Sequence, residues 1–213
     1  MTDQLSLYNG ALRECGERKL ASLTEAREPR RILDDVWDSG GVDDCLEMGQ
    51  WYFAMRTVQV DYDTDVTPDF GYIYAFSKPS DWKVTSALCS DEYFREPLLD
   101  YADEAGYWYT DYQTIYVRYV SNDSAYGKDY SLWPQAFVRY VEAYLASEIC
   151  LKVTGDKERT KLVLALAEKR LKQAKNVAAM ALPTQFPANG NWVRSRRGGR
   201  SRRDRGNRGS LIG

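Results

Sequence analysis

A chain of 213 residues, 44% hydrophobic and with a mean hydropathy of −0.56, has room for one sizeable core or for one core with an insertion. No apolar run approaches the ~20 residues that cross a bilayer, and the N-terminus MTDQLSLYNG has no basic region leading into an apolar one, so a soluble cytoplasmic product is expected, with no membrane partner. The net charge of −2 hides an asymmetry: eight arginines and one aspartate lie between Ala188 and Gly213, leaving the remainder at −9.

Histidine is absent, which removes imidazole acid–base catalysis, Ser-His and Cys-His nucleophiles and His metal ligation. The four cysteines Cys15, Cys45, Cys89 and Cys150 are widely spaced, with no Cys-x-x-Cys pair. That spacing argues against a zinc site or redox dithiol and fits reduced core thiols. No cofactor is expected.

In chain order, Leu5, Tyr8, Leu12 and Cys15 fall at helical spacing and stop at Gly16. Ser22 and Glu25 have the spacing of a capping box, and Pro29 fits only a first turn. The apolar set Ile32, Leu33, Val36 and Trp37 continues that helix until Gly40-Gly41 breaks it. A shorter helix with Val42, Cys45, Leu46 and Gly49 is expected to end near Trp51.

From Val58 to Tyr119 the composition turns to Tyr, Thr, Val and Asp. Alternation at Val58, Val60 and Tyr62, at Tyr72, Tyr74 and Phe76, and at Ile115, Val117 and Tyr119 predicts short antiparallel strands. Ser131 is a candidate cap, with Pro134 in the first turn of a helix that places Phe137, Val141, Tyr144, Leu145 and Glu148 on one face and closes at Gly155. A last helix from about Asp156 to Met180 puts Leu162, Leu166, Lys169 or Arg170, and Ala174 on one side, and Pro183 and Pro187 end it.

The expected fold is mainly α with a β insertion (α+β). It comprises N-terminal helices over 1–57, a β-rich insertion over 58–130, C-terminal helices over 131–182 and an Arg-rich extended tail over 183–213. The helices should form an antiparallel four-helix bundle carrying a small antiparallel β module.

Four ordered segments resemble the tail tubular protein A family, the head-to-tail adaptors of short-tailed phages. They are LYNGALRECGE (7–17) with LASL (20–23), ILDDVW (32–37) with QWYFAMR (50–56), GYIYAFSKPSD (71–81), and LWPQAF (132–137) leading into YLASE (144–148). Together they span about residues 5–180, while Gly40-Gly41 and the Arg-rich end depart from the family pattern. The resemblance implies a structural virion protein at the head–tail junction, made in the host cytoplasm and not an enzyme. It would form a homo-oligomeric ring, of twelve subunits in the family, between the portal protein and the tail nozzle protein, with packaged DNA passing through its channel.

Tyr107, Trp108, Tyr109 and Tyr112 are candidates for a subunit or tail interface, since large amphipathic rings suit permanent interfaces. Arg194, Arg196, Arg197, Arg200, Arg202, Arg203, Arg205 and Arg208 form a candidate arm toward the portal or a neighbouring subunit. The same arm resembles the Arg-Gly segments of nucleic-acid binders, which is the alternative reading. Asp61, Asp63 and Asp65 have calcium-loop spacing, but Val66 and Tyr72 stand where an EF-hand needs Gly and Glu. The acidic set Asp34, Asp35, Asp38, Asp43, Asp44 and Glu47 reads as a solvated face or a negative channel lining, with a carboxylate-dependent polysaccharide hydrolase as the weakest option.

Overall fold

A computed structural model describes residues 2–69 and 71–181. Among the described residues, five α-helices and two small antiparallel sheets make up a mixed fold. Helix α1 (Gln4–Cys15) opens with a reciprocal cap. The Asp3 carboxylate accepts from the Ser6 N–H at 2.8 Å, and the Asp3 N–H donates to the Ser6 hydroxyl at 3.0 Å. Gly16 ends it in the left-handed region at φ 74°, as the sequence predicts.

The capping box expected at Ser22 does not start a helix. Glu25 folds back to the Ala21 N–H at 2.7 Å, and α2 (Glu28–Asp38) begins only at the residue before Pro29. A proline ring fits a first turn and clashes deeper in a helix, so Pro29 sets this start. Gly40, at φ 101°, separates α2 from α3 (Gly41–Glu47). Helix α3 ends short of the expected Trp51, whose indole N–H instead returns to the carbonyls of Cys45 and Leu46 at 3.1 and 2.9 Å. The side chain thereby satisfies acceptors that the helix end leaves open.

Strands β1 (Met55–Asp61), β3 (Trp82–Cys89) and β6 (Thr114–Ser121) form one sheet in the order β1-β6-β3. Strands β2 (Tyr74–Ser77), β4 (Ala102–Glu104) and β5 (Tyr107–Thr110) form the second, in the order β2-β5-β4. Strand β3 escapes the alternation rule because its register with β6 shifts twice, between Trp82 and Val84 and between Thr85 and Ala87. The β4–β5 hairpin turns on Ala105 and Gly106, both at positive φ.

Ser131 does not cap the next helix; it lies in a 3₁₀ turn where the Asp129 carboxylate accepts its N–H at 3.0 Å. Pro134 occupies the N-cap of α4 (Gln135–Thr154) instead. Helix α4 is the hub of the helical part, with α1, α2, α3 and α5 all packed on it. Its buried residues include Phe137, Val138, Tyr140, Val141, Leu145 and Ile149, which surround the axis rather than form one stripe, while Glu148 is exposed. A helix enclosed on most sides loses its amphipathic pattern.

Helix α5 (Lys157–Ala181) corrects the expected face. Val163, Ala167, Ala174 and Ala178 are buried, whereas Leu162 is 72% exposed. Small residues let the α5 backbone lie close to α4, so the apolar stripe visible in sequence is not the packed one.

Among the described residues two hydrophobic cores result. The larger gathers Leu7, Leu12, Leu33, Leu46, Trp51 and Phe137 among the helices. The smaller gathers Phe76, Leu88, Trp108, Ile115, Val117 and Tyr119 between the sheets. The β-rich part is a wing with its own interior.

Candidate interaction surfaces

Two polar hubs organise the wing: one ties its own strands together, and the other fastens it to α3. Asp81, after the β2 turn, accepts from Arg56 at 2.9 Å, from the Tyr119 hydroxyl at 3.1 Å and from the Ser121 hydroxyl. Burial pushes the Asp81 carboxyl upward, but these donors outweigh it and hold the group below the usual carboxylate range. Asp43 on α3 is the second hub, with Lys83 at 3.1 Å, Lys128 at 3.0 Å and the Asn122 amide at 2.9 Å. Its carboxyl is likewise lowered, the donors overcoming the effect of burial.

The remaining acidic set is spread through the helical part. Asp34 pairs with Arg30 and accepts the Tyr8 hydroxyl, Asp44 accepts the Tyr144 hydroxyl, and Glu47 shares Lys83 with Asp43. These three are each tied to a structural neighbour. In the wing, Asp61 accepts the Thr114 hydroxyl, and Asp63 accepts the Ser77 hydroxyl and the Asp65 N–H. Among the described residues no group of three or more His, Cys, Asp or Glu side chains is arranged to hold a metal ion.

Of the four aromatic candidates, Trp108 is fully buried and belongs to the wing's interior, which removes it from any surface. The reason is period-two alternation along β5: Trp108 and Thr110 point inward, while Tyr107 and Tyr109 lie half-buried on the other face, 6.1 Å apart. Tyr112 follows the strand and is exposed. The Trp108 and Trp82 indoles both donate to the Thr85 hydroxyl at 3.0 Å. Lys78 sits 3.7 Å from the Trp82 ring centroid and pairs with Asp103, an enclosed cation site filled by the chain itself.

Sequence reasoning missed several exposed apolar side chains. On the wing these include Leu99, 91% exposed, with Ile73 and Tyr93; on α5 they include Leu162, Leu164 and Met180. Leu162 and Leu166 line a shallow cleft with Glu14, Asp156 and Arg159. Charge is also partitioned, and counting by segment exposes it. Residues 58–113 carry twelve acidic and three basic side chains, so this stretch alone accounts for an excess of nine negative charges. Helix α5 carries seven basic against two acidic residues.

All four cysteines are free and buried. Burial pushes the Cys15 thiol up to about 12, and Cys45 and Cys89 are raised for the same reason. The arginine arm, Arg194 to Arg208, lies outside the described residues. No helix of the described residues is long and apolar enough to cross a membrane. No protein-family model matches this chain, and no curated protein matches its sequence.

Proposed function

We propose that this chain is a structural virion protein, a head-to-tail adaptor whose copies form a ring between portal and tail nozzle and extend the DNA channel. The observation that carries the reading is the ordered set of family-like segments over residues 5–180. They fall on a helical part and a strand-rich wing with separate interiors. Supporting it, the wing combines concentrated negative charge with exposed Leu99, Ile73, Tyr93 and Tyr112, surfaces that suit burial against other chains.

In this reading α1, α2, α4 and α5 serve as an antiparallel bundle at the level of the portal, and the wing is the platform for the tail. Twelve copies close the ring, and apolar burial repeated around it supplies the binding energy. The negative surface of the wing adds no counterion-release attraction, so DNA would pass it without sticking. The chain does no chemistry of its own, which accords with a sequence free of histidine and with Asp34, Asp43 and Glu47 of the acidic set held in ion pairs.

Electron microscopy of the protein mixed with portal-bearing heads tests the proposal. A ring of copies at the portal vertex is expected; bare vertices at saturating protein would refute it. The arginine arm makes nucleic-acid binding the competing reading. Tight, salt-sensitive binding of free DNA by the isolated chain would favour that alternative.

A further inference from the structure

Ile73, Leu99 and Tyr112 lie in one region of the wing. Leu99 and Tyr112 line a single cleft together with Asp100 and Asp111. The Ile73 N–H donates to Asp111 at 3.1 Å and the Tyr72 hydroxyl donates to Asp100 at 2.8 Å, which holds residues 72–73 to the same two carboxylates. Leu99 is 91% and Ile73 64% exposed. Neither Asp100 nor Asp111 has an ion-pair partner among the described residues. Single exposed apolar residues are ordinary, but several in one region beside unpaired carboxylates mark an interaction surface.

Helix α5 carries the converse. Leu162, Leu166, Lys169, Gln173, Asn176 and Met180 follow at alternating spacings of four and three, which lays them along one face. This is not the packed face: Leu166 is half-buried and the other five are exposed, Met180 to 75%. Glu14, Asp156 and Glu158 stand around Leu162, so the positive charge belongs to the second half of the helix. There Lys169, Arg170, Lys172 and Lys175 occur with no acidic residue as far as Ala181. None of these four bases is ion-paired among the described residues.

We infer that the second half of α5 in one copy docks on the Ile73, Leu99 and Tyr112 region of the wing in the next copy. Each surface offers apolar side chains with unpaired charge beside them, and the charges are opposite. Wing against wing or α5 against α5 would bring like charges together, which disfavours a two-fold contact and selects a head-to-tail one. A head-to-tail contact uses a different surface on each side, so it repeats from copy to copy and closes into a ring where the rotation allows. The arginine-rich end is a poorer occupant of the wing, because from Ser195 to Ser210 it has no apolar side chain to cover Leu99 and Ile73. The inference deepens the reading of the chain as a ring subunit, and rests on it for closure, by naming the two faces that meet.

The test is cross-linking between copies. Leu99→Cys is mixed with Gln173→Cys, and separately with Met180→Cys, and each mixture is treated with a short bis-maleimide. The four native thiols are buried and do not compete. At least one mixture should give a covalent dimer at a yield well above that of any variant alone, falling at least about fivefold at high salt. Lys169→Glu with Lys172→Glu on the α5 copy should cut the yield about tenfold. Both lysines are exposed, so this variant should keep the parent melting temperature. Asp100→Asn with Asp111→Asn on the wing copy keeps an oxygen for Tyr72 and Ile73. It should lower the yield against unaltered α5 yet recover part of what the lysine variant loses, because like charges no longer meet. Four results would overturn the inference: no dimer above the single-variant yield in either mixture, a matching dimer from Leu99→Cys alone, a yield indifferent to the charge variants, or a yield that depends on residues 195–213 and not on Lys169 and Lys172. Cross-linked copies without a ring on portal-bearing heads sink the adaptor reading alone, and a ring on the heads without the cross-link sinks this contact alone.

Discussion

Thr85 shows how one hydroxyl organises the wing interior. It accepts both indole N–H groups of Trp82 and Trp108 and donates to Asp103 at 3.2 Å. Thr85→Val keeps the shape but strands a fully buried Trp108 donor, and a loss of about 2–3 kcal/mol in urea unfolding is expected. Asp81 and Asp43 give a pH dependence of known sign. Their folded pKa values lie below the ordinary carboxylate value, so their contribution is complete above about pH 4 and disappears as pH falls through the depressed values. Melting temperature should therefore drop steeply on acidification, and Asp81→Asn should flatten that drop while lowering the neutral-pH value. The buried thiols belong to this scale as well. With Cys15 held up near 12, native protein at pH 8 should resist iodoacetamide and label fully only in denaturant.

Among the elements, the loop from β6 to α4 depends on Gly127. Its N–H donates to the Ser121 carbonyl at 3.1 Å, and its own carbonyl accepts the Trp133 indole at 2.8 Å. A Cβ there would stand 2.1 Å from the Ser121 oxygen and 2.9 Å from Leu46. The obstacle is backbone, which cannot swing aside, so Gly127→Ala should cost about 3 kcal/mol or more by chemical denaturation. On α5 the two faces predict opposite outcomes. Ala174→Leu overfills the contact with α4 and should cost about 1–3 kcal/mol, whereas Leu162→Ser should change stability by less than about 0.5 kcal/mol. The helix ends at Gly16, Gly40 and Gly155 were readable because a left-handed residue is a local requirement that glycine meets cheaply. The start of α2 was misread for the complementary reason: a capping box is local, and Pro29 downstream overrode it.

At the level of the whole molecule, opposite charges are segregated, with the negative excess on the wing and a basic set on α5. The ring proposal uses the wing and the C-terminal end as two different faces. Deleting residues 195–213 should abolish attachment to portal-bearing heads in a sedimentation assay while leaving the melting temperature of the remainder within a degree or two. The deletion removes seven of the arm's eight arginines and leaves every residue of the two hydrophobic cores in the chain. Loss of the folded state on that deletion would contradict the assignment of the arm to a partner.

Local rules carried the sequence far. Helical spacing, turn glycines and strand alternation located α1, α4, α5, β1, β2 and β6 within a few residues, and the end of α2 but not its start, because each signal depends on neighbours along the chain. The absence of histidine narrowed the possible chemistry before any coordinates. What three dimensions alone decided was which face is inside: alanines rather than leucines on α5, Trp108 inward and Tyr109 outward, β3 paired despite its shifted register. Only packing brought Leu99, Asp100, Asp111 and Tyr112 to one cleft. Burial is a property of the neighbours an element meets, and those neighbours lie far away in sequence.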